Sequence, residues 1–101
     1  MDVRYQLASL QFEWDSNKAA ENRRKHGVDF VEAAEVFLDP LALYGVSDNE
    51  EETRFFVLGE TLRTKVVLVV HTDRGARTRI ISARPATRSE RRLYERGQFD
   101  R

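Results

Sequence analysis

The sequence predicts an α+β fold in which an antiparallel sheet of about four strands is preceded by two helices and followed by one. Three observations predict it. Residues up to Pro40 combine helix-capping side chains with apolar residues at helical spacing. Beyond Pro40 the period changes, and apolar blocks are separated by turn-forming stretches. After Pro85, Thr87 and Glu90 form a Thr-x-x-Glu capping box ahead of another charged helical segment.

Each element has its own reason. Leu10, Phe12 and Trp14 alternate with Gln11 and Glu13, as in a half-buried strand within residues 3–14, and residues 1–10 are expected to be frayed. Asp15 or Ser16 caps a helix from about Asn17 to His26, and Gly27 stands where a left-handed C-terminal cap belongs. This helix is short and polar, so docking must stabilise it. Asp29 and Glu32 are placed to cap a second helix, whose Phe30, Ala33, Ala34 and Phe37 form a core-facing stripe that Asp39-Pro40 ends. The strands LALYGV, TRFFVLGE, KVVLVVHT and RTRIISAR follow, joined by the turns SDNEEE, TLR and DRGA. Val66, Leu68 and Val70 lie opposite Val67, Val69 and His71, so both faces of that strand should be covered. The last helix is expected to close at Gly97.

Composition narrows the function. The 101 residues suit a single domain over 1–101, and 41% hydrophobic residues suffice for a core. There is no Cys, which excludes disulfides, thiolate metal sites and Cys nucleophiles; with only two His, neither a metal nor a cofactor is expected. No apolar run reaches the roughly twenty residues of a membrane span, and the opening MDVRYQLASLQFEWD lacks a signal peptide's apolar stretch, so a cytoplasmic location without membrane contact is expected. The net charge of zero hides an asymmetry. Residues 1–60 carry six Lys or Arg against thirteen Asp or Glu, whereas residues 61–101 carry eleven against four, and ten of those eleven are Arg. Arg matches phosphate oxygens with a planar fork of donors, so the C-terminal half suits a polyanion; alternatively the two halves pair with each other inside the fold.

Several strings then resemble one family. Phe-Glu-Trp-Asp-x-x-Lys at 12–18, Asn-x-x-Lys-His-Gly-Val-x-Phe at 22–30 and Glu-Ala-Ala-Glu-Val-Phe-x-Asp-Pro at 32–40 are similar, in order, to segments of the BrnT toxin family. Glu-Thr-Arg at 52–54, Arg-Ile-Ile-Ser-Ala-Arg-x-Ala-Thr at 79–87 and Glu-Arg-Arg-x-Tyr at 90–94 extend the resemblance over about residues 11–96. It implies a RelE-like fold and a metal-independent endoribonuclease that inhibits translation and growth. It also implies a BrnA-like ribbon-helix-helix antitoxin as partner, with operator DNA contacted only through that antitoxin.

Metal-free RNA cleavage needs a base for the 2′-hydroxyl, cations for the phosphorane-like charge and an acid for the departing 5′-oxygen. Arg79 and Arg84 are the first candidates for the charge; strict alternation puts them on opposite strand faces, so a shared site requires a bulge or a strand end. Arg54, among Phe and Leu, is a third candidate or a salt-bridge partner. His71 and His26 are candidate acid or base, because imidazole titrates near neutrality; the alternatives are a packed sheet residue and a helix C-terminal cation. Lys25 is a candidate for phosphate binding or for the acid. Arg88, Arg91 and Arg92 would track the RNA backbone or meet acidic antitoxin residues, and Tyr94 would stack on a base. Trp14 reads as core. The competing function is a non-catalytic nucleic-acid-binding or protein-interaction module using the same basic half.

Overall fold

The computed structural model describes residues 1–47 and 52–99. Six strands form one sheet: β1 (Asp2–Leu7), β2 (Leu10–Asp15), β3 (Leu43–Ser47), β4 (Arg54–Glu60), β5 (Val66–Arg74) and β6 (Arg77–Pro85), in the order β1-β2-β6-β5-β4-β3. All neighbours are antiparallel except β2 and β6, which run parallel. The helices are α1 (Ser16–His26), α2 (Phe30–Ala34), continued by a 3-10 helix (Glu35–Leu38), and α3 (Arg88–Phe99).

The sheet is therefore mixed and larger than the expected four strands. The difference lies at the N-terminus, where a hairpin turns at Ala8-Ser9 and pairs β1 with β2 from Asp2↔Asp15 to Leu7↔Leu10. The opening residues are thus paired strand, not frayed. Ala8 takes φ 55°; the Gly or Asn that usually marks such a turn is missing, and the sequence conceals it.

The helices begin largely as their caps dictate. Asp15 accepts from the Lys18 amide at 3.0 Å and opens α1, and Gly27 at φ 72° closes it with its N–H on the Arg23 carbonyl. Asp29 opens α2 without a side-chain cap and pairs with Arg23 instead, at 3.3 Å. Thr87 and Glu90 make the reciprocal capping box at α3, but the helix runs through Gly97 to Phe99. Gly97 sits against Leu43, so its smallness serves helix-on-sheet packing rather than termination. The turn expected at 47–52 lies largely outside the described residues.

Two cores cover the sheet. On one face Phe30, Ala33, Ala34 and Val36 pack with Phe12, Trp14, Val57, Val67, Val69, Ile80 and Ala83. On the other, α3 places Tyr94 on Leu58 and Val66. No helix among the described residues is long and apolar enough to cross a membrane.

Candidate active site

Strands β2 and β6 share only the pairs Phe12↔Thr78 and Glu13↔Arg79. Where they part, α1 takes the place of a strand beside β6. Its buried Asn22 supplies what a strand backbone would: Nδ2 donates to the Ala83 carbonyl at 2.8 Å and Oδ1 accepts from the Ala83 N–H at 3.0 Å. The same Nδ2 donates to the Val28 carbonyl at 3.0 Å and so fixes the link to α2. With two carbonyls and one N–H to satisfy, the amide has one workable orientation.

This docking builds a cleft of about 300 Å³. From α1 it takes Lys18, Glu21, Asn22, Lys25 and His26; from the sheet it takes Arg54, Ile81 and Ser82. Residues 18, 21, 22 and 25 fall on one helical face. Lys25 Nζ lies 2.9 Å from Glu21, and its hydrogen bond holds that carboxyl below its ordinary pKa. Arg54 is paired with Glu52 at 3.5 Å, and its buried Nε has no hydrogen-bond partner. A guanidinium, two ammonium groups, an imidazole, a hydroxyl and the Glu21 carboxylate thus line one depression. Lys25, His26 and Arg54 are brought together here. Lys18 and Ser82 join them unforeseen, although the spacing of Lys18 to Lys25 along α1 was a readable sign that they share a face.

The other candidates lie elsewhere. In β6 the register passes from Val70↔Ser82 to His71↔Ile80, so Ile81 is bulged out. That bulge puts Arg79 and Arg84 on one face after all. Yet carboxylates hold both. Arg79, 18% exposed, donates to Glu13 at 2.6 Å and to Asp2 at 3.2 Å. Arg84 makes a two-pronged contact with Glu90 at 2.7 and 2.9 Å, and this contact, with the capping-box bonds, lowers the Glu90 pKa to about 2.

His71 pairs across to Ile80 of β6. It is 6% exposed, edge-on to Phe37 at 4.9 Å and stacked on Phe55 at 5.8 Å, with neither ring nitrogen hydrogen-bonded. Burial pushes its pKa down, against an opposing pull from Asp73. Tyr94 is 2% exposed and donates its hydroxyl to Asp39, so it has no open ring face for a base. Arg88, Arg91 and Arg92 are exposed on α3.

A small α+β protein with Lys18, Lys25 and Arg54 lining a cleft between helix and sheet, and further arginines on another helix, falls in the class whose charge pattern suits polyanions. The chain is a member of a particular family within it: the model for the ribonuclease toxin BrnT of type II toxin-antitoxin systems matches residues 14–90. The crystal structure of the Brucella abortus ribonuclease toxin BrnT is similar, at 28% sequence identity and a TM-score of 0.58, over 74% of this chain and 94% of that one. Curated protein sequences give no significant match.

Proposed function

We propose that this chain is a metal-independent endoribonuclease that cuts RNA in the cleft between α1 and the sheet. The gathering of Lys18, Lys25, His26 and Arg54 around one depression carries the reading. In this scheme the ribose 2′-oxygen attacks phosphorus, its proton passes to a base, the bond to the 5′-oxygen breaks, and that oxygen takes a proton. Arg54 grips the non-bridging oxygens with donors that its own carboxylate leaves unused, and the two lysines add positive charge as the phosphorane forms. His26, the imidazole lining the cleft, is the proton carrier. Arg88, Arg91 and Arg92 track the flanking backbone. Arg79 and Arg84 lock the two ends of β6, and His71 and Tyr94 pack.

The products follow from that chemistry: a 2′,3′-cyclic phosphate and a 5′-hydroxyl. Incubating the purified chain with RNA in EDTA and determining the ends tests it. Cutting that stops in EDTA, or that leaves a 5′-phosphate, contradicts the scheme, and binding without cutting favours a non-catalytic module. In the cell, cutting would inhibit translation, as the RelE-like kinship implied by the resemblance suggests. A ribbon-helix-helix antitoxin would cover the basic face, so the complex should weaken as salt rises.

A further inference from the structure

The cleft has a larger neighbour. His26, which lines the cleft, also lines a second depression of about 550 Å³ between the end of α1, the β4–β5 turn and α3. Its volume falls inside the roughly 300–1,000 Å³ of small-molecule sites. The walls carry both signs of charge: Lys65 and Arg91 on one hand, Glu60 and Glu95 on the other, over an apolar floor that includes Val66. Arg91 and Glu95 stand one turn apart on α3, so their side chains lie side by side.

We infer that this depression is a base-recognition subsite, and that the base it takes is guanine on the nucleotide next to the scissile phosphate. The inference rests on the proposed cleavage reading, which places that phosphate beside His26. A phosphate pocket alone would need only cations; the carboxylates call for N–H donors on the ligand. Guanine presents two adjacent N–H groups on its pairing edge for one carboxylate, and O6 and N7 as acceptors for Arg or Lys. Each of the other three bases offers a carboxylate fewer adjacent donors. The apolar floor suits the face of a base, and the shared His26 fixes how far it lies from the reacting bond.

Two measurements on the whole chain test this. In the first, each of the four nucleoside 5′-monophosphates is titrated and followed by amide chemical shifts. Guanosine monophosphate should bind about tenfold tighter than the others, shift residues around His26, Lys65 and Val66, and lose that advantage in Glu95→Gln or Glu60→Gln. Glu95 is an exposed helix residue, so its variant should fold as the parent does. In the second, short RNAs differing only beside the cut are compared; guanine should be cut fastest, and the same variants should flatten the preference while still cutting the other RNAs. Equal binding of all four nucleotides, shifts clustered elsewhere, or an undiminished preference in both variants would overturn the subsite. A pocket that only an antitoxin peptide fills, with no nucleotide effect, overturns it as well. A chain that binds guanosine monophosphate here yet cuts no RNA keeps the subsite and removes the cleavage reading; one that cuts without base preference does the reverse.

Discussion

Replacing Asn22 with Ala should destabilise the protein more than its small size suggests. The side chain makes three hydrogen bonds, at 3.0, 2.8 and 3.0 Å, to backbone groups of Val28 and Ala83, which are themselves 3% and 0% exposed. Truncation leaves two carbonyls and one N–H unsatisfied away from water. At about 1 kcal/mol for each lost bond, toward the low end for buried orphans, the cost is about 3 kcal/mol. That is a large share of the 5–15 kcal/mol typical of a domain, and at this chain length it lowers Tm by roughly 15 °C. Urea unfolding followed by the fluorescence of buried Trp14 measures it directly. Asn22→Asp should fare no better, since it keeps the acceptor for Ala83 N–H but turns a carboxylate oxygen toward two carbonyls. A loss below about 1 kcal/mol for Asn22→Ala would show that α1 is held to β6 by something other than this amide.

Other expectations follow from the titrating groups and the tight contacts. The Glu90 pKa is lowered from 4.5 to about 2, chiefly by Arg84. Its stabilisation is therefore complete above pH 4.5 and lost as pH falls toward 2; Glu90→Gln should remove that acid sensitivity in urea titrations and, through the capping box, cost roughly 1 kcal/mol at neutral pH. Burial depresses the pKa of His71, so the unfolded chain takes up the proton first and stability should decline as pH drops below 6.5. His71→Leu, which fills the space between Phe37 and Phe55 without a titrating ring, should flatten that slope in the same titrations. In β3, a Cβ on Gly45 would strike the ring of Phe56; Gly45→Ala should cost about 1–3 kcal/mol by denaturant unfolding.

How far the residues announced all this varied with the physics behind each feature. Helix ends were legible wherever one side chain decides them, as Asp15, Gly27 and Thr87 do. Strands β4 to β6 were legible because their apolar blocks are bounded by polar turns. The β1–β2 hairpin was not, because a turn through Ala8-Ser9 is imposed by pairing along both strands rather than by local preference. At the site, Lys25, His26 and Arg54 were chosen for their chemistry and do converge. Arg79 and Arg84 were chosen for theirs too, but what they touch depends on tertiary neighbours: Glu13 and Asp2 arrive from the unforeseen hairpin, and Glu90 from the turn into α3. The Ile81 bulge likewise belongs to pairing and leaves no mark in the string. Lys18 and Asn22 show the opposite case, since their spacing was visible and only their neighbour β6 was missing.

Whether RNA breaks where Arg54 faces α1 is decided by single-turnover cleavage of a defined RNA in EDTA with Arg54→Ala beside Arg79→Met. Arg54→Ala should lose about a hundredfold or more with unchanged circular dichroism, as other single donors to transition-state charge do. Arg79→Met should show its defect in stability rather than in rate. Full activity in Arg54→Ala, with activity abolished in a well-folded Arg79→Met, would contradict this and move the chemistry to Arg79.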